Sequence, residues 1–175
     1  MSVSAQMIAE VQPLIPALRR YARAMLRNRD DADDLVQDVL ERALANWQAR
    51  RKSASLRSWL FAILHNLALD RLRRRARRGI DATLDSVPEA WLARAAEQED
   101  GLGRQDVLTH LARLPDDQRA VLLLVGVEDL SYAEAAAVLD VPMGTVMSRL
   151  SRARERLRRE MEEGLRANPT LRVIR

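Results

Sequence analysis

The chain has 175 residues, 47% apolar and 31% charged, with a formal net charge of +4, a balance that lets it bury a core and excludes a disordered chain. It has no cysteine, which excludes disulfides, thiolate catalysis and cysteine-based zinc sites. The longest apolar run, Val121–Val127, falls far short of the ~20 residues a membrane helix needs, and no Lys or Arg precedes Arg19 to form a secretory n-region, so a cytoplasmic protein without membrane insertion is expected.

Ala, Leu and Arg dominate, aromatics are 3%, and apolar residues recur at helical spacing almost throughout. The expected fold class is all-α: two small helical domains joined by an acidic flexible linker, the C-terminal one a helix-turn-helix. No repeat of solenoid length is present.

The first block runs from about Val11 to Arg78. A helix is expected to begin near Pro13–Pro16, where proline suits a first turn, and to carry Leu18, Ala22, Met25 and Leu26 inward. Asn28–Asp31 breaks it and caps the next, which aligns Leu35, Val39, Ala43 and Trp47 on one stripe. After the polar loop Gln48–Ser55, Ser55 caps a third helix with Leu56, Leu60, Ile63, Leu64 and Leu67 as its core face. Its end, "DRLRRRARR", makes six of residues 71–78 arginine. Trp47 and Trp59 read as core, and His65 as a helix-surface residue.

Residues 79–103 carry three glycines, a proline, six acids and one arginine (Arg94), the composition of a linker. The second block, 104–166, is expected to hold four helices. One ends near Leu114, and Pro115–Asp116 starts another that runs to about Val127.

The last two helices lie in "LSYAEAAAVLDVPMGTVMSRLSRARERLRR", residues 130–159. Ser131 and Glu134 spell a capping box. Ala133, Ala135, Ala136 and Ala137 keep that helix thin enough for close crossing, and Pro142 opens the next one. There Val146, Leu150, Ala153, Leu157 and Met161 mark the buried side, leaving Thr145, Met147, Ser148, Arg149, Ser151, Arg152 and Arg156 outward. Small donors and arginines at a helix start suit base edges and phosphates in a major groove. A solvated basic helix in an ordinary bundle is the plainer alternative. Against it, only Glu155 intervenes among six arginines from Arg149 to Arg159, and like charges at i,i+3 and i,i+4 are unfavourable without a partner such as phosphate.

The stretch "LARLPDDQRAVLLLVGVEDLSYAEAAAVLDVPMGTVMSRLSRARERLR" resembles the promoter-reading domain of the extracytoplasmic-function (ECF) sigma factors of the sigma-70 family. "DADDLVQDVLERAL" and "LRSWLFAILHNLALDRLRRRAR" resemble their N-terminal domain, and together the likeness covers about Leu14–Arg159. The resemblance implies an N-terminal domain (11–78) for polymerase docking and −10 recognition, and a C-terminal domain (104–166) for the −35 element. It further implies core RNA polymerase (the β′ clamp helices and the β flap) and promoter DNA as partners, with an anti-sigma factor as the usual regulator.

By resemblance, Asp34, Leu35, Gln37, Asp38 and Glu41 face the clamp helices. Ser53, Ala54, Asn66 and Asp70 correspond to the −10 reader, with Arg71, Arg73 and Arg74 on phosphates. Thr145, Met147, Ser148, Arg149, Ser151 and Arg152 correspond to the −35 reader. The loop "RRKSAS" is basic where relatives often carry Gly-Asp, and Leu56 replaces an aromatic. The acidic linker would follow a positively charged polymerase channel or serve as a plain solvated tether.

No enzyme, cofactor, metal or small-molecule substrate is expected. His65 and His110 lie in separate blocks without metal-ligand spacing, and no phosphate loop or nucleophile elbow occurs. Asp30, Asp34 and Glu41 match EF-hand positions, but Ala32 and Leu35 stand where a ligand and the glycine belong. Two other readings remain: a stand-alone helix-turn-helix regulator binding operators as a dimer, and a helical adaptor for protein or RNA.

Overall fold

The computed structural model describes residues 3–50, 55–79 and 110–167, and among these every regular element is a helix. The chain enters through α1 (Val3–Val11) and a 3-10 turn at Gln12–Leu14, then forms α2 (Ile15–Leu26), α3 (Arg29–Ala45) and α4 (Leu56–Arg78). The expected first helix thus starts one element late: Pro13 and Pro16 do begin helical turns, and α1 precedes them. Arg27 closes α2 in the left-handed region (φ 56°), its N–H donating to the Arg23 carbonyl. Asn28 accepts from the Asp31 N–H at 2.9 Å and caps α3; Ser55 accepts from the Ser58 N–H at 3.0 Å and caps α4. Gly79, at φ 64°, ends α4 in a conformation that glycine adopts without steric cost.

In the second half a helical turn at 110–113 leads to α5 (Asp116–Gly126), α6 (Tyr132–Leu139) and α7 (Met143–Ala167). The link between the two is described only at its first residue, Gly79; the rest of 79–103 and the loop residues 51–54 lie outside the described residues. Arg119 is almost fully buried and donates to the carbonyls of Ala112 and Leu114 while pairing with Asp116. It therefore satisfies the carbonyls left open where the 110–113 turn ends.

The core of the first half is built from Leu18, Tyr21, Met25, Leu26, Leu35, Val39, Leu60, Phe61 and Leu64, all fully buried. Ala120, Val121, Leu124, Val138, Val146, Leu150 and Ala153 of the second half belong to the same continuous apolar cluster. The halves touch where α2 meets α5 and where α4 meets α6.

His65 corrects the sequence reading. It is buried rather than on the helix surface, and its Nδ1 lies 2.9 Å from the Tyr21 hydroxyl. Burial drives the tyrosine pKa far above its ordinary range, so a protonated hydroxyl shares this hydrogen bond with a neutral imidazole. Burial, reinforced by Arg149 and Arg73, lowers the His65 pKa to about 4. The unfolded chain therefore binds a proton first as pH falls. Stability from this site is whole above about pH 6.5 and declines toward pH 4, by up to ~1.4 kcal/mol per pH unit. Urea midpoints at pH 7 and pH 5 should show this loss, and His65→Gln should flatten it; equal slopes in both proteins would refute the assignment.

Candidate nucleic-acid interface

Helix α7 owes its presentation to α6. The Ser131 hydroxyl accepts from the Glu134 N–H, while the Glu134 carboxylate accepts from the Ser131 N–H at 2.9 Å, completing the expected capping box. The Ser131 backbone N–H, then its hydroxyl, hold the Glu134 carboxyl below the usual carboxylate range. Asp140 turns the chain at φ 52°, and the Pro142 carbonyl accepts from the Thr145 N–H at 2.9 Å as α7 begins.

On α7, Val146, Leu150 and Ala153 are buried, while Met147, Ser148, Ser151 and Arg152 are exposed and Thr145 is half-exposed. Ser148 and Arg152 form one unit. Arg152 Nε donates to the Ser148 carbonyl and its Nη2 to the Ser148 hydroxyl, each at 3.2 Å. The Ser148 hydroxyl in turn donates to the Thr145 carbonyl at 3.1 Å. Arg149 is placed differently: it is half-buried and pairs with Asp117 of α5 at 3.2 Å.

The charge along α7 is also uneven in a way the arginine run hid. Arg156 pairs with Glu160, Arg158 with Glu155 and Glu162, and Arg159 with Glu155. The distal half is thus internally balanced, contrary to the expectation of an uncompensated run. From Met143 to Arg154 there are three arginines and no acid. The unbalanced charge sits at the helix start, where the helix dipole adds to it.

Asn66 and Asp70 are both exposed on α4, one turn apart. Asp70 lies 3.6 Å from Arg73, so this aspartate steadies an arginine. Arg73 and Arg74 are exposed. Arg71 is tied inward, donating to the Asp31 carbonyl at 2.6 Å and pairing with Asp38. Arg75 likewise pairs with Asp31 and donates to the Leu26 carbonyl. Ser53 and Ala54 lie outside the described residues.

Beside Asn66 the structure opens a hollow that sequence patterning missed, lined by Arg42, Asn46, Arg50, Trp59 and Ile63. The Arg50 guanidinium lies 4.7 Å from the Trp47 ring centre and 6.0 Å from that of Trp59. Trp47 is core as expected, whereas Trp59 is half-buried and forms part of the wall. Only the aromatic-plus-arginine composition around 42–59 hinted at it.

On α3, Asp34, Gln37 and Glu41 are exposed, with Gln37 donating to Glu41 at 3.1 Å. Asp38 is half-buried against Arg71. Leu35 is fully buried, which removes it from the surface a partner can touch: it belongs to the apolar stripe, not the acidic face. Next to Glu41 lies an apolar groove of Met7, Ile8, Val11, Ile15, Leu40 and Leu44, with Ile8 and Leu44 largely exposed. It was invisible in the sequence because half of it belongs to α1. Among the described residues no group of His, Asp and Glu is placed to hold a metal ion, and no helix is long and apolar enough to cross a membrane.

Residues 11–65 match the family model described as the Sigma2 domain of PhyR, and residues 104–157 match that of Sigma-70, region 4. The chain is 39% identical over 148 residues to the ECF RNA polymerase sigma factor EcfG of Rhodopseudomonas palustris, covering 85% of this chain and 81% of the relative. It is also 39% identical over 142 residues to the ECF RNA polymerase sigma factor SigM of Mycobacterium tuberculosis, covering 81% and 70%. Among solved structures it resembles the sigma factor RpoE of Bartonella quintana, crystallised with the anti-sigma factor NepR. That match has TM-score 0.76 and 34% identity, and covers 88% of this chain and 95% of the other. It also resembles CnrH in complex with the cytosolic domain of CnrY, at TM-score 0.63 and 29% identity over 91% and 87% of the chains.

Proposed function

The chain belongs to the ECF RNA polymerase sigma factors, and we propose that it docks on core polymerase through α3 and reads promoters with α4 and α7. The observation that carries this assignment is the pairing of two separate DNA-suited surfaces with an acidic docking helix in one chain. Residues 11–78 form the docking and −10 domain, 79–103 the linker and 104–166 the −35 domain.

Asp34, Gln37, Asp38 and Glu41, with the apolar groove beside them, meet the β′ clamp helices, and the C-terminal domain meets the β flap. Asn66 and the hollow beside Trp59 take an unstacked base of the opened −10 strand, where an aromatic wall and flanking arginines suit a single-stranded base. Arg73 and Arg74 grip phosphates. Ser148 and Arg152 read −35 base edges, flanked by Thr145, Met147 and Ser151, while Arg149 braces the helix through Asp117. The protein acts in the cytoplasm, without catalysis or a cofactor of its own. An anti-sigma factor controls it, as the complexes of its structural neighbours with NepR and CnrY support.

This reading makes promoter recognition conditional on the polymerase. Fluorescence anisotropy with duplex promoter DNA should show weak, unselective binding by the protein alone and sequence-selective binding once core enzyme is added. Tight, selective binding by an isolated dimer would instead assign it to the stand-alone regulators.

A further inference from the structure

Five large apolar or aromatic side chains stand exposed among the described residues: Ile8, Leu44, Tyr132, Met143 and Met147. Ile8 and Leu44 edge the groove beside Glu41, whereas the other three surround the start of α7. Met147, 45% exposed, lines an open hollow with Tyr132 of α6, Leu150 and Ser151. The core does not hold it there, because Val146 and Ala153 fill the inward side of the helix. Packing leaves this methionine unexplained.

Helical rotation places it beside the polar pair described above. At about 100° per residue, Met147, Ser148, Ser151 and Arg152 fall within a single face about 140° wide. Ser148 lies inside that face, with Arg152 towards one edge and Met147 at the other. The space beside Gly144, near the middle of the face, is open, so the first turn can come close to a groove floor.

The chemistry of the side chain narrows what it can touch. A thioether has no donor and only a weak acceptor, so Met147 cannot read the hydrogen-bonding edge of a base. The major groove displays one apolar substituent, the C5-methyl group of thymine. Methionine is unbranched and has three rotatable bonds, which lets it follow that methyl across a groove. By area alone a protein surface would cover it equally well. Charge favours DNA instead: Arg149, Arg152 and Arg154 are the only charged residues from Met143 to Arg154, and Arg154 itself stands at the rim of the hollow. A polyanion is drawn to an apolar patch set among such cations.

We propose that Met147 is a specificity-determining residue of the −35 contact and packs on the C5-methyl group of a thymine. The proposal rests on the functional reading above and adds a second kind of recognition to it. Ser148 and Arg152 take the hydrogen-bonding edge of one base, while Met147 selects an A·T pair at a neighbouring position through its methyl alone.

The test uses holoenzyme and a promoter taken from mapped transcript starts. Each −35 thymine, on either strand, is replaced in turn by deoxyuridine, which removes the methyl and nothing else. At one position the parent should bind about fourfold more weakly, the effect of losing one buried methyl-sized group. Met147→Ala and Met147→Gln should bind the thymine and deoxyuridine forms of that position equally, whereas Met147→Leu, still apolar, should keep the difference. Met147 is exposed, so these variants leave the core intact, and circular dichroism should show unchanged helical content. A deoxyuridine response identical in the parent and Met147→Ala at every position would overturn the thymine contact. So would Met147→Ala weakening polymerase binding equally with and without DNA, which would give the patch to a protein partner. A −35 preference that Arg152→Ala flattens, with no methyl effect that depends on Met147, would overturn the thymine contact alone. A parent holoenzyme without any −35 preference would overturn the functional reading beneath it as well.

Discussion

Reversing charge at Asp34 and Asp38 is expected to weaken binding to core RNA polymerase about a hundredfold, within the 2–5 kcal/mol that buried interfacial charge contacts carry. Asp34 stands exposed on α3 and takes no part in the core, so Asp34→Arg alone isolates the docking contribution. Asp38→Arg adds a second effect, because it sets an arginine against Arg71, which now pairs with Asp38. Helical content must therefore be followed alongside affinity for both variants. Competition binding to core enzyme checks the expectation, and unchanged affinity for Asp34→Arg would take α3 out of the docking surface.

Arg152→Ala is expected to cost about 1–3 kcal/mol on the preferred −35 sequence and to flatten the preference at one position. Arg152 is exposed early in α7 and is already braced by the Ser148 carbonyl and hydroxyl, so little side-chain freedom is lost on binding. Arg158 presents a contrast, for it is held by Glu155 and Glu162 on the balanced half of the helix. Arg158→Ala should leave base preference intact, lowering affinity uniformly and reducing the salt slope by about one unit only where a phosphate replaces those acids. Promoter libraries assayed with holoenzyme at two salt concentrations separate the two behaviours. A preference altered by Arg158→Ala and untouched by Arg152→Ala would mean that the reading face is registered on the wrong side of α7.

What the sequence disclosed was local. The S-x-x-E capping box, the Pro142 turn and the Val146–Leu150–Ala153 stripe are written in neighbouring residues, and the helix-turn-helix was legible from them. Asn28 and Ser55 as caps were legible for the same reason. What it concealed was relational. His65 looks like a surface residue until Tyr21, 44 positions earlier, supplies its hydrogen bond. Arg149 looks unpaired on its helix until Asp117 is brought beside it. Leu35 shares a segment with the acidic residues Asp34 and Asp38, but helical rotation turns it into the core. Helix α1 was missed because two prolines signalled a beginning more strongly than Met7 and Val11 signalled an earlier buried face. Glu128 carries no local mark at all, since its burial depends on arginines 71 and 108 positions away.

The most direct measurement is run-off transcription from fragmented genomic DNA with core polymerase, with and without the protein, followed by mapping of transcript starts. The protein should convert unselective initiation into a set of discrete starts that share a two-part sequence at −10 and −35, and Asp34→Arg should abolish them. Start sites identical with and without the protein, at concentrations where it binds DNA tightly by itself, would contradict a sigma factor and identify a regulator that acts without the polymerase.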